Sequence, residues 1–179
     1  MIPIDEHDNG VKQNPLSNAF KVFNPCWDDD TSENVAFHRA MNVAQMILKQ
    51  HIDTANSTSR AKDHVRSQYT GGEILVLDRS LPWTDAVHDD PLYKDVLFVV
   101  YPSDRGGWNV QTVTKAAGSY ANRMNFPAEW LGHEDPERGI RFAHTSNFLI
   151  ACNTKEQAIK VAEEAIEEGS KYAEVVCSI

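Results

Sequence analysis

The stretch VLFVVYPSDRGGWNVQTV, residues 96–113, sets two apolar runs, Val96 to Tyr101 and Trp108 to Val113, on either side of Asp104-Arg105-Gly106-Gly107. Both runs are rich in β-branched and aromatic side chains, which suit a pleated, half-buried surface. The two glycines supply the backbone freedom that a tight reversal needs. Together they predict an antiparallel hairpin.

Working outward, Arg141 to His144 and Phe148 to Cys152 form a second pair of short β-rich runs, and Glu73 to Leu77 a further one upstream. Thr154 and Gln157 have the spacing of a capping box. Ala158, Val161, Ala162, Ala165 and Ile166 then trace a narrow apolar stripe that ends at Gly169, predicting a helix that lies on the sheet. On the amino side, Asp30 with Glu33 also resembles a capping box. It is followed by Phe37, Met41, Ala44, Ile47, Leu48 and Ile52 at helical spacing, which is the longest helix. That helix weakens over Asn56 to Ser59, where small polar side chains compete for backbone bonds, and resumes toward Tyr69 before Gly71-Gly72. The Phe37 to Ile52 stripe is expected inside the domain's own core.

Helix, strands, helix is an α+β order, with a mixed or antiparallel sheet of roughly five strands covered by helices. We read residues 1–179 as a single domain: an irregular arm over 1–30, a long helical segment over 31–70, and the sheet with its C-terminal helix over 71–179. Trp27, Trp83 and Trp108 beside Pro or Gly turns are expected as core anchors.

Bulk chemistry narrows the function. A formal charge of -9 disfavours strong nonspecific nucleic-acid binding, which depends on Lys and Arg displacing counterions from phosphates. A locally recognised small ligand or a protein partner fits better. Cys26, Cys152 and Cys177 are odd in number and widely spaced, so neither a disulfide framework nor a thiolate zinc site is indicated. No run approaches the roughly 18 apolar residues of a membrane helix. The expectation is a soluble, intracellular chain, in the cytoplasm, without membrane partners. No GxSxG, HExxH, Walker loop or dinucleotide glycine fingerprint occurs.

Four candidate positions remain. His7 stands among Asp5, Glu6 and Asp8, hard donors suited to a divalent ion, with solvated acidic residues as the alternative. His38, His51 and His64 recur every thirteen residues, which turns each about 220° from the last, so they share no helix face. Arg123 precedes Phe126-Pro127-Ala128-Glu129-Trp130, where a guanidinium could clamp phosphate while the indole stacks on a base; an Arg capping a loop beside a core Trp is the other reading. His144, Thr145 and Ser146 sit where a strand should turn and offer imidazole and hydroxyl groups to an anion, or bond only to their own loop.

In order along the chain, Ile4 to Gly10, Asn24 to Trp27, Gly72 to Leu77 with Pro82-Trp83, Phe98 to Pro102, Trp108 to Gln111, Arg123 with Pro127 to Trp130, and His144 to Phe148 together resemble the carboxy-terminal half of the Myg family. These are metal-dependent phosphoesterases of the DHH superfamily, regarded as 3′-to-5′ exonucleases on RNA. The resemblance implies a lobe like the DHH-associated domain, which grips substrate across a cleft, with Arg123, Trp130, His144 and Ser146 as ligand-binding residues. Asp5 and Asp8 would then be remnants of a metal site, holding manganese or magnesium only when a catalytic half completes it. Relatives have His-Ala-Ser-Gly-Phe-Ile-Gly-Gly where this chain has His144 to Ala151, so Asn147, Ile150 and Ala151 replace glycines and would narrow a phosphate's approach. Relatives also carry an Arg where this chain has Leu131.

The expectation is a freestanding lobe that binds a nucleotide, a short RNA or a protein partner and is not active alone. One alternative is a subunit completed by a separate DHH catalytic half. Another is an interaction or dimerisation module that uses the Phe37 to Ile52 stripe.

Overall fold

The computed structural model describes residues 15–177. In chain order its elements are α1 (Pro15–Lys21), α2 (Glu33–Gln68), β1 (Ile74–Val76), α3 (Thr84–Asp89), β2 (Phe98–Pro102), β3 (Trp108–Thr112), β4 (Ile140–Ala143), β5 (Leu149–Cys152) and α4 (Lys155–Cys177), with 3-10 turns at Pro91–Tyr93 and Ala128–Trp130. The protein is α+β, and its five-stranded sheet runs β1-β2-β3-β5-β4. The chain divides into two compact units, one ending at Ser57 and the other starting at Thr58.

In the second unit the predicted hairpin forms in register, Phe98 opposite Thr112 and Pro102 opposite Trp108. Its turn is closed by Ser103 N–H on Gly107 O at 2.9 Å. Gly107 has φ +73°, and a Cβ there would stand 2.3 Å from the Cys152 carbonyl, so only glycine fits. β4 and β5 make the second hairpin, with a bulge between Ile140 and Phe142, and β5 pairs with β3. β1 runs parallel to β2, which makes the sheet mixed. The long connection that a parallel pair requires carries α3, a helix that the sequence reading missed because six residues are too few to establish a period.

Alternation along the strands gives the sheet two apolar faces. Phe98, Val100, Val110, Ile150 and Cys152 meet Ala158, Val161, Ala162 and Ala165 of α4. Leu75, Val99 and Val113 meet Val65, Trp83, Val87 and Tyr93. The small residues on α4 let it approach the sheet closely. Its start is the predicted capping box: Gln157 N–H donates to Thr154 Oγ1, and Thr154 N–H donates to Gln157 Oε1, each at 3.2 Å. The helix continues past Gly169 to Cys177.

The residues up to the end of α2 depart from expectation at five points. Part of the arm is helical, as α1. The cap of α2 is Ser32 rather than an Asp30–Glu33 box, since Val35 N–H donates to Ser32 Oγ. α2 runs unbroken through Asn56 to Ser59, because the side chains at 56, 57 and 59 point to water instead of competing for the backbone. Phe37, Met41, Leu48 and Ile52 are exposed, not core. Within the first unit Phe20, Phe23 and Pro25 face Ala36, Phe37 and Met41 across a groove of about 580 Å³, and Ala36 is the buried residue. Trp27, at 97% exposure, is no anchor. Its turn is held by Asp29 N–H on Cys26 O, which fixes the backbone but gives the indole nothing to pack on.

Candidate functional site

The β4–β5 turn brings three rings together at the surface. His144 N–H donates to Leu149 O at 2.9 Å, and Asn147 N–H to His144 O at 3.0 Å, which closes the reversal. Ser146 N–H donates to His144 Nδ1 at 3.0 Å, so the neutral imidazole carries its proton on Nε2. The imidazole centroid lies 4.4 Å from that of Phe148 and 5.9 Å from that of Phe142, tilted by 53° and 78°. Phe142 is 49% exposed and Phe148 39%, so the three rings form a surface cluster.

Asn147 holds this turn in place. It has φ 55°, the left-handed region where glycine is most at ease and Asn is the best-tolerated alternative. Its Oδ1 accepts from Phe126 N–H at 2.8 Å and its Nδ2 donates to Phe126 O at 3.0 Å. Asn122 Nδ2 donates to the Asn147 carbonyl at 2.6 Å. The side chain expected to crowd a ligand is thus spent on the 122–126 loop, and Ile150 is buried in the α4 face of the sheet.

Arg123 belongs to the same loop, but its side chain turns elsewhere. Nη1 donates to the carbonyls of Tyr93, Lys94 and Val96 at 2.6, 3.1 and 2.9 Å, holding the segment that leads into β2. Burial draws its pKa below the ordinary arginine range, and Asp95 pulls it back up. Arg123 lines a groove with Glu73, Lys94, Asp95, Leu97 and Lys115. Nearby, His88 Nε2 sits 3.0 Å from Thr114 Oγ1, whose own proton goes to Ala116 O. Burial, and then the Arg123 charge, lower the His88 pKa.

Trp130 is 6% exposed and packs in the α4-side core. The cation over its ring is Arg138, 5.0 Å from the centroid, itself paired with Asp135 and Glu164. Arg123 and Trp130 therefore have different partners, and the loop-capping reading of Arg123 describes its contacts. Asp5 and Asp8 lie outside the described residues. Among the described residues no group of three or more His, Cys, Asp or Glu side chains could hold a metal ion. Nor is any helix there long and apolar enough to cross a membrane.

Several contributors were invisible in the sequence. Phe142 stands next to the His144 turn but reads as an ordinary strand residue. Lys94 and Lys115 meet Arg123 only through the fold. His64 Nε2 lies 2.6 Å from Asp78 Oδ1, and this bond together with those from Arg79 holds the Asp78 carboxyl below its usual range.

Fold and turn together define an α+β protein whose mixed sheet carries a solvent-facing cluster of rings at one end. The chain belongs to the MYG1 family: the family model described as "Uncharacterised protein family (UPF0160)" matches residues 1–166. It is 26% identical to the "MYG1 protein" of Dictyostelium discoideum, over 94% of this chain and 61% of that protein. It is also 26% identical to the "MYG1 exonuclease" of Homo sapiens, over 96% of this chain and 54% of that protein, and to that of Mus musculus, over 92% and 52%. The chain thus spans between about half and three-fifths of the length of these curated relatives. No solved structure matches it.

Proposed function

We propose that this chain is a substrate-binding lobe of the DHH-superfamily type, corresponding to the carboxy-terminal half of a Myg exonuclease. It binds a nucleotide or the end of a short RNA and does not hydrolyse it alone. The supporting observation is the exposed Phe142–His144–Phe148 cluster on a turn held in place by Asn147. Exposed rings are platforms for nucleobases, each stack contributing about 1–3 kcal/mol, and His144 and Ser146 add polar groups beside them. The exonuclease names of the relatives point to the same ligand class. Two-metal hydrolysis needs several carboxylates and imidazoles around paired ions roughly 4 Å apart, and the described residues gather no such set.

The test is a titration of the full chain with mononucleotides and short labelled RNAs, with and without manganese. Phe148→Ala should weaken binding about 5- to 150-fold, the equivalent of one lost stack, and His144→Ala should weaken it in the same direction. Unchanged affinity in both variants rejects the reading. Chelator-sensitive phosphodiesterase activity of the purified chain alone rejects its non-catalytic part.

The exonuclease name of a relative of which this chain covers 54% favours a second reading, in which a DHH catalytic half completes the enzyme. Nuclease activity that appears only on mixing the two polypeptides would support it.

A further inference from the structure

Five charged side chains converge where β1 and β2 begin and β3 ends. Glu73 precedes β1, Lys94 and Asp95 precede β2, Lys115 follows β3, and Arg123 joins them because its N–H donates to Val113 O at 2.7 Å. With Leu97 they line an open groove of about 590 Å³.

Three of the five are cations, and among the described residues none of the three is in an ion pair. The lysine ammonium groups have no hydrogen-bond acceptor there either. Arg123 is the fixed member. Its Nη1 is committed to three backbone carbonyls, while Nε and Nη2 have no acceptor among the described residues. Among the described residues no buried side-chain nitrogen or oxygen lacks a partner, so these two donors must reach solvent.

A guanidinium edge with two free, parallel N–H groups matches an acceptor that offers two oxygens on one centre. Because the carbonyls already hold the side chain, little rotamer freedom remains to be lost on binding. The lysines add two mobile point charges at the rim. Glu73 and Asp95 leave the lining only one net positive charge, which suits a single compact anion and not a run of phosphates.

We propose that this groove binds a phosphate-type oxyanion, held by the Nε–Nη2 edge of Arg123 and the ammonium groups of Lys94 and Lys115. The site goes beyond the nucleotide reading, since it requires neither the ring cluster nor a base.

The test titrates the full chain with inorganic phosphate at low ionic strength, by calorimetry and by amide chemical shifts. Saturable binding is expected, with shifts at Leu97 and Lys115. Lys94→Gln with Lys115→Gln should weaken it about tenfold or more, as expected for lost charge-assisted bonds. Asp95→Asn should tighten binding, whereas Glu163→Gln, the same charge change on α4, should leave it unchanged. Arg123→Lys should weaken binding despite keeping the charge. If that variant fails to fold, the lysine pair and Asp95→Asn decide. Non-saturating shifts, unchanged affinity in the lysine pair, or equal effects of Asp95→Asn and Glu163→Gln would each overturn the proposal.

Nucleoside and nucleoside monophosphate arms separate the two readings. Phosphate binding without any nucleoside or nucleotide binding at the rings leaves this site and removes the nucleotide reading. Ring-dependent nucleotide binding without phosphate binding does the reverse.

Discussion

Asn147 is the residue on which the geometry of the turn depends. Asn147→Gly keeps the left-handed backbone but loses both bonds to Phe126, and should cost about 1–2 kcal/mol. Asn147→Ala loses the bonds and adds backbone strain, and should cost about 1 kcal/mol more. Urea titrations of the two variants check that order. His88 makes a pH prediction. Its pKa is lowered in the folded state by burial and by Arg123, so the unfolded chain binds the proton more readily once the pH falls below about 6.5. Stability contributed by neutral His88 is present above that pH and is lost as the pH drops through the window below it. The thermal midpoint should therefore fall more steeply between pH 6.5 and 5 in the natural chain than in His88→Gln. At this scale the sequence was partly legible: His144 and Ser146 were located at their turn by the strand pattern. Which way the Arg123 side chain points was not, because the three carbonyls that capture it lie about 30 residues away in sequence.

Among the elements, the strands and α4 were legible because each carries a complete local signal. The hairpin has its glycine turn and α4 has both halves of its capping box. The pairing of β1 was not, since three residues cannot state whether they run parallel or antiparallel. The exposure of the α2 stripe was misjudged for a related reason: periodicity identifies an apolar helix face but not whether a surface covers it. Packing predictions follow from the covered faces. Ile150→Ala opens space between β5 and α4 and should cost about 2–5 kcal/mol, seen as a lower denaturation midpoint with an unchanged slope. Gly107→Ala should be worse tolerated than Gly106→Ala, whose added Cβ meets nothing within 4 Å, so that expression and melting temperature separate the pair.

For the whole molecule, the charge of -9 constrains any nucleic-acid affinity. If a short RNA is held mainly by stacking on the ring cluster, its affinity should depend only weakly on salt, with a log–log slope near -0.7 for each phosphate contacted. A slope several times steeper would mean a basic track along the chain instead. Cys152 adds a chemical contrast: burial pushes its thiol up to about 12, while Cys26 is exposed. Fold class was legible at this scale because patterning alone distinguishes α+β from its rivals. The site was legible only in outline, since it is assembled from loops that the sheet brings together.

The sheet order also implies an order of assembly. Two hairpins can close early, because each joins neighbours across a handful of residues, whereas β3 and β5 must find each other across a long detour and pay the larger chain entropy. The Asn147–Phe126 clasp fastens that detour at its far side. Weakening it should slow refolding more than truncating the apolar contacts between α1 and α2, which makes the rate at which the chain refolds a readout of the same contacts that shape its ligand turn.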